Sequence, residues 1–243
     1  MSEKTLVAED LVLATGHRRL LDRVSLVAEP GRILAVTGPS GSGKTTLLSV
    51  LGGLVAPTSG TVRYDGHPVG NRAGEPRPGT AFVLQTYGLV PSLTAEENIS
   101  IALRARGTDP AEAVSRSLAA LERVLVGDLA DRLIQELSGG QLQRVAVARA
   151  LALEADVLLA DEPTSELDEK NRDLVVAELR AEASRGALVV VATHDPEVAE
   201  RCDASVHLVD GAVVADEPTM VPTSLDGPGH EFDAFRPPPG RDR

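Results

Sequence analysis

Gly38-Pro39-Ser40-Gly41-Ser42-Gly43-Lys44-Thr45 is the stretch whose reading decides the fold. It satisfies G-x-x-x-x-G-K-[ST], with the apolar run Ile33 to Val36 before it and a helical stretch, Thr46 to Leu51, after it. Strand, glycine-rich turn and helix in that order make a phosphate cradle. Glycines let the backbone wrap an anion with its N–H groups pointing inward, and the helix N-terminus adds partial positive charge. The expected nucleotide-binding residues are therefore Gly38, Pro39, Ser40, Gly41, Ser42, Gly43, Lys44, Thr45 and Thr46. Lys44 is expected to reach the β- and γ-phosphates, and the Thr45 hydroxyl to ligate Mg²⁺.

Such a cradle needs a carboxylate at the end of another apolar strand. Val157-Leu158-Leu159-Ala160 leads into Asp161-Glu162. Asp161 is expected to hold Mg²⁺, and Glu162 to orient or deprotonate an attacking water. The chain contains its own control, because Ala160-Asp161-Glu162-Pro163-Thr164 recurs as Ala215-Asp216-Glu217-Pro218-Thr219. The second copy has no helix after it and no glycine motif before it, so position assigns the chemistry to the first. Between cradle and carboxylates lies Leu137-Ser138-Gly139-Gly140-Gln141. Ser138 with Gln141 reads as a capping box, so this is a second glycine-rich helix N-terminus and a second anion site.

The rest of the chain alternates accordingly. Strands are expected at Leu11 to Ala14, Val24 to Ala28, Ile33 to Thr37 and Ala81 to Leu84, with hairpins turning at Asp65-Gly66 and Asp210-Gly211. The middle reads as helical. Thr94 with Glu97 caps one helix running to about Arg106, and Asp109-Pro110 opens a second whose apolar stripe reads Val114, Leu118, Leu121 and Leu125. Val157 to Ala160 and Leu188 to Ala192 read as buried strands, Asp168 to Arg185 as a helix between them, and Asp195-Pro196 as the start of another. Val69 to Thr80 reads as an exposed loop, and from Glu217 onward the composition reads as a mobile tail.

Composition narrows the partners. The 243 residues allow one α/β domain with a small inserted subdomain. Hydrophobic residues make up 42% and aromatics 2%, so the core must be aliphatic. A single cysteine, Cys202, rules out a disulfide framework and fits a reducing compartment. Met1 to Asp10 is polar and acidic, unlike a signal peptide, and no apolar run approaches the ~20 residues that span a bilayer. The expectation is a soluble or peripheral protein. A net charge of −12 argues against a duplex-DNA partner, whose affinity comes from Lys and Arg against phosphates.

With Lys44, Leu137 to Gln141 and Asp161-Glu162 in this order, the chain resembles the ATP-binding subunit of ABC transporters from about Leu6 to Ala215. The resemblance implies a P-loop NTPase (RecA-like) α/β core with an antiparallel β subdomain and an inserted helical subdomain at about 87–153. The ATPase domain would occupy 1–216, followed by a disordered tail at 217–243. It also implies roles. Gln85 would be the Q-loop glutamine, catalytic and a Mg²⁺ ligand beside Thr45 and Asp161. His194, ending the strand Leu188 to Ala192, would be the switch histidine. Ser165-Glu166-Leu167-Asp168 would be the D-loop. Two copies would close head to tail around two Mg·ATP, the cradle of one subunit facing Ser138, Gly139, Gly140, Gln141 and Asp168 of the other. The partners implied are ATP, a second ATPase subunit and an integral membrane permease, with no nucleic acid, at the cytoplasmic face of the cell membrane. Thr86 to Asn98 would contribute to the permease groove, with Tyr87, Leu89 and Val90 as contacts or as ordinary packing.

Gly52-Gly53-Leu54, Pro57-Thr58-Ser59-Gly60 and Leu93-Thr94 with Glu97-Asn98 are similar to the lipoprotein-release, macrolide-export and cell-division group. Three departures stand out. The loop Val69 to Thr80 is short and Pro-rich compared with that group. Ser165-Glu166 occupies the D-loop where that group has Gly-Asn. Thr15 occupies the position of the aromatic that stacks on adenine, and no Phe, Tyr or Trp precedes Tyr64. His17 or Arg18 is the expected substitute, or base selectivity is relaxed. The competing reading is an ABC-type ATPase that exports nothing and instead regulates a cell-wall enzyme or assembles iron–sulfur clusters. A repair or translation ATPase would need a long coiled coil, zinc motifs or tandem domains, for which the sequence has no candidate.

Overall fold

The structure, a computed structural model, describes residues 4–69 and 76–214. The expected tail and the second Asp-Glu-Pro segment lie outside the described residues, as does most of the loop after Val69.

The chain opens with a hairpin of β1 (Leu6–Thr15) and β2 (Arg18–Ala28), both longer than the sequence suggests. The runs of Arg, Asp and Glu hid the ends: one face of this antiparallel pair meets solvent, so polar residues continue the strand. The hairpin turns at Gly16-His17, with Gly16 at φ 60. Then come β3 (Ile33–Thr37), α1 (Lys44–Leu51), β4 (Ser59–Tyr64), β5 (His67–Pro68) and β6 (Thr80–Val83). Asp65 and Gly66 both have positive φ (50 and 75), the turn expected between β4 and β5. Three helices follow: α2 (Ala95–Ala105), α3 (Pro110–Arg123) and α4 (Gly139–Ala152), with 3₁₀ turns at Gly127–Leu129 and Ile134–Glu136. The chain then runs through β7 (Val157–Asp161), α5 (Glu169–Ser184), β8 (Leu188–Ala192), α6 (Pro196–Ala199), β9 (Ala204–Val209) and β10 (Ala212–Val214).

Two sheets form. One is antiparallel, ordered β2-β1-β4-β5. The other is ordered β10-β9-β3-β8-β7-β6, with every neighbouring pair parallel except β10–β9. Its central strands are apolar throughout, and alternation divides their side chains between two cores. Val189 and Val191 of β8, with Leu158 and Ala160 of β7, join the helices α2 to α5. Val190, Ala192 and Leu159 point the other way and join α1 and the antiparallel sheet. Each such Val or Leu contributes roughly 1.5–3 kcal/mol through burial. The helices α2 to α4 therefore lie between β6 and β7 in sequence and cover one face of the parallel sheet.

The stripe expected on α3 is a correction. Only Leu121 is inside; Val114, Leu118 and Leu125 are 42%, 41% and 57% exposed. The buried face is Ala113, Ser117, Ala120 and Leu121, continuing to Val124. Small residues face inward because α3 packs closely against α2 and α4, and Ser117 satisfies its hydroxyl by donating to the Ala113 carbonyl at 2.7 Å. The capping boxes at Thr94/Glu97 and Ser138/Gln141 form as expected, and Asp109 caps α3.

Candidate functional site

The phosphate loop joins β3 to α1, and its shape depends on glycine at two places. Gly38 has φ 143, and a Cβ there would lie 2.1 Å from the Leu208 carbonyl oxygen. Gly43 has φ 107, and its Cβ would lie 2.8 Å from the Leu20 carbonyl oxygen. The loop is thus wedged between β9 and β2 with no room for side chains. Gly43 is also the N-cap of α1 and supplies no side-chain cap, so the first-turn N–H groups of α1 have no side-chain acceptor. Ser42 Oγ is buried without a hydrogen-bond partner. A run of uncapped N–H groups beside an orphaned hydroxyl is what a phosphate would satisfy.

The loop is anchored from both sides. Thr37, ending β3, meets His207 Nδ1 at 3.0 Å, which gives His207 a structural partner. Gly211 N donates to the Ser42 carbonyl at 2.9 Å, and Asp22 N donates to the Gly211 carbonyl at 2.8 Å. The turn at Asp210-Gly211 thereby clasps β2 to the phosphate loop.

Lys44 is 7% exposed. Its ammonium donates to the Gly38 and Pro39 carbonyls at 2.8 and 3.2 Å and lies 3.7 Å from Glu162 Oε1. The Thr45 hydroxyl donates to Asp161 Oδ2 at 2.6 Å. Burial, the largest influence, pushes the Asp161 carboxyl above its ordinary value. The Glu162 charge adds to that rise, while the Thr45 bond and Lys44 partly offset it. Glu162 is itself buried and sits at φ 49, a left-handed conformation costing about 1–2 kcal/mol for a residue with a side chain. It is held there by its N–H to the Ala192 carbonyl at 2.8 Å and by its carboxylate, which meets His194 Nδ1 at 2.9 Å. The strained residue thus sits where β7 ends, bonded to the histidine that follows β8. Gln85 joins Asp161, Glu162 and the phosphate loop around one open cleft of about 350 Å³.

The residues fit Mg²⁺. Thr45 and Asp161 are hard oxygen donors in contact, and among the described residues no cluster of three or more His, Cys, Asp or Glu forms a full cage. Mg²⁺ usually takes one or two protein oxygens and fills its shell with water and phosphate.

Two side chains tie the segment that follows Gln85 to the helices. Arg149 of α4 donates to the Tyr87 carbonyl at 2.8 Å and also to that of Gly88. Asn98 of α2 accepts from Val90 N at 2.7 Å and donates to the Val90 and Thr94 carbonyls. Sequence reasoning missed Arg149, because its partners are backbone carbonyls more than sixty residues away and leave no pattern. Of the expected groove residues, Leu89 packs on the core and Val90 stays 43% exposed.

Ser138, Gly139, Gly140 and Gln141 open α4 at a second cleft, away from the phosphate loop in sequence. That cleft is shared with Arg144, Glu166 and Asp168. Asp168 caps α5 by accepting from Asn171 N at 2.9 Å. Gly140 in particular is crowded because residues 166–167 cross over the helix end. A Cβ on Gly140 would lie 2.9 Å from the Glu166 carbonyl oxygen, and one on Gly139 would lie 3.2 Å from Glu166 Oε2.

Comparison with known proteins gives a consistent answer. The family model described as "ABC transporter" matches residues 21–165. The chain is 41% identical over 219 residues to the macrolide export ATP-binding/permease protein MacB 1/2 of Paracoccus denitrificans, covering 88% of this chain and 33% of that protein. It is 40% identical to the pyoverdine export ATP-binding/permease protein PvdT of Pseudomonas entomophila, covering 84% of this chain and 32% of that one. The chain therefore spans about a third of the length of these curated relatives. Among solved structures, the dimeric ATP-binding cassette MJ0796 bound to ADP and Pi aligns with a TM-score of 0.80 at 32% identity, over 86% of this chain and 96% of that one. Its P-loop core, antiparallel sheet and helical insertion are those of an ATP-binding, ATP-hydrolysing domain, and the chain belongs to the ABC transporter family.

Proposed function

We propose that the chain dimerises around two Mg·ATP and uses their hydrolysis to drive a membrane permease from the cytoplasmic face. The observation that carries this is that one chain holds two separate clefts, each at a glycine-rich helix N-terminus. Lys44, Thr45, Gln85, Asp161 and Glu162 surround one cleft, and Ser138, Gly140 and Gln141 surround the other. A two-fold dimer brings the two kinds of cleft together, each protomer offering its phosphate loop to the partner's α4. MJ0796 is described as a dimer in both its ADP·Pi and its other cassette structure, which supports the arrangement. Among the described residues no helix is long and apolar enough to cross a membrane. The matched relatives are ATP-binding/permease proteins, which supports a permease partner for this chain.

In this reading the phosphate-loop N–H groups and Lys44 bind the β- and γ-phosphates. Thr45, Asp161 and Gln85 would hold Mg²⁺, which when bound neutralises phosphate charge. Glu162 orients the attacking water and takes its proton as the Pγ–O bond to ADP breaks. His194 holds the Glu162 carboxylate in place. Across the interface, the N–H groups of Gly139 and Gly140, with Ser138, Gln141 and Asp168, meet the same nucleotide.

The test is Glu162→Gln, which keeps the shape and removes the base. Gel filtration with saturating Mg·ATP should show that variant as a stable dimer with ATP retained. A monomer under those conditions, with the membrane fraction of its host supplied, would overturn the proposal.

A further inference from the structure

The nucleotide cleft has two flanks. Asp161, Glu162 and Gln85 form one; β2 and the turn at Asp210-Gly211 form the other, contributing Arg18, Arg19 and Leu20. On this second flank a base would lie, since the first is taken by the groups that face the terminal phosphate. No aromatic side chain of the described residues lines it. Tyr64 is buried in the core with Arg77 3.6 Å above its ring. Phe82 packs against Gly52 and the same core. Tyr87 follows Gln85 and is not part of the cleft lining.

We propose that Arg18 is the base-contacting residue, its guanidinium plane stacking on the purine, and that the cleft in consequence accepts adenine and guanine nucleotides nearly alike. The proposal rests on the phosphate-loop reading above. Arg18 is exposed and opens β2, opposite Thr15 across the hairpin. Two residues farther on, Leu20 presents its carbonyl to Gly43, and Gly211 bonds both Asp22 and Ser42. These contacts hold the strand carrying Arg18 against the phosphate loop. Arg19 is committed elsewhere, to Asp22 at 2.8 Å. The Arg18 side chain makes no ion pair or hydrogen bond with any described residue. His17, also exposed at the tip of the turn, does not line the cleft. A guanidinium stacks well on a ring but reads only its face, and every purine has the same face. Rejecting guanine needs buried donors or acceptors aimed at the base edge, and this flank is open to solvent, with Asp210 exposed.

Calorimetric titration of the full chain with Mg·ATP, Mg·GTP and inorganic tripolyphosphate tests the idea. The unaltered chain should bind ATP and GTP within about threefold of each other. Arg18→Ala should weaken both by roughly fivefold or more, the low end of the stacking range, and leave tripolyphosphate unchanged. Arg18→Tyr should restore ATP affinity. An unaffected Arg18→Ala, a loss shared equally by tripolyphosphate, or a preference for ATP over GTP of more than about tenfold would each overturn the assignment. The phosphate-loop reading fails separately, if tripolyphosphate does not bind the unaltered chain or binds Lys44→Ala as well.

Discussion

Two glycine-rich helix N-termini in this molecule open onto clefts, and they are finished differently. At α1 the cap is a glycine with no side chain to offer, no acidic residue lies in the first turn, and a buried lysine follows. At α4 the cap is Ser138, which accepts from Gln141 N, while the Gln141 side chain accepts from Ser138 N at 2.8 Å. A carboxylate, Glu166, lies over the following glycine. The first end is left uncapped for a ligand, with a cation beside it. The second is partly satisfied within its own protomer and has an anion beside it. In the proposed function, one protomer would therefore hold a strong phosphate site and a weak one. ATP should bind first to the phosphate loop, and the α4 end should engage only when a second copy presents the nucleotide.

The largest way to break this comparison is at the chemistry itself. Glu162→Gln should lower turnover by roughly 10²- to 10⁴-fold with ATP affinity retained, because a positioned base is worth about that much. Measured phosphate release at an unchanged rate would remove Glu162 from its role. Next, Lys44→Ala should weaken ATP binding to the monomer at least about thirtyfold, since the charge meeting the phosphates is gone. The analogous change at α4, Ser138→Ala, should leave that monomer affinity alone. If the two variants lost the same affinity, the division into strong and weak ends would be wrong. His194→Ala should cost roughly tenfold in kcat with KM little changed, the worth of one hydrogen bond to a charged group. Glu166→Gln sharpens the comparison most directly. Removing a like charge beside a helix N-terminus should tighten ATP-driven dimerisation about two- to fivefold when read in a Glu162→Gln background. Weaker dimerisation would mean that Glu166 supports the interface instead of opposing the arriving phosphate.

The smallest effect concerns the strand that aims the phosphate loop. Asp203 accepts from Ile33 N at 2.7 Å, pairs with Arg180, and gives its own N–H to the Ile33 carbonyl, fixing where β3 begins. Burial pushes the Asp203 carboxyl up, but the Ile33 bond and the Arg180 and Arg32 charges outweigh it and hold the group below its ordinary 3.8. A depressed carboxylate stabilises the fold above its unfolded value and loses that contribution as pH falls through the folded one. Asp203→Asn should therefore cost about 1 kcal/mol at neutral pH, and its difference from the unaltered chain should shrink in acid. Urea midpoints at pH 7 and near pH 3 would show it. A difference that grows in acid would contradict the sign.

The comparison also explains which features were legible in the chain. Glycines at fixed offsets, the apolar runs of β3, β7 and β8, and the capping boxes at Thr94 and Ser138 are local, and each constrains its own backbone. Hydrophobic spacing misled at α3, where Val114 and Leu118 fit a helical stripe as well as Ala113 and Ser117 do. Only the neighbouring helices decide which face goes inside, and close packing chose the small one.

Sequence by itself determined the phosphate loop, the two carboxylates where β7 ends, the histidine after β8 and the glycine pair opening α4, because each is a short-range pattern whose chemistry travels with it. Tertiary structure alone decided that His194 bonds Glu162, that Arg149 holds the loop after Gln85, that Arg18 and not His17 reaches the cleft, and that Glu166 lies over Gly139. Those contacts join residues from different strands and helices, and nothing in the order of a chain says how far apart its sheets and helices will finally rest.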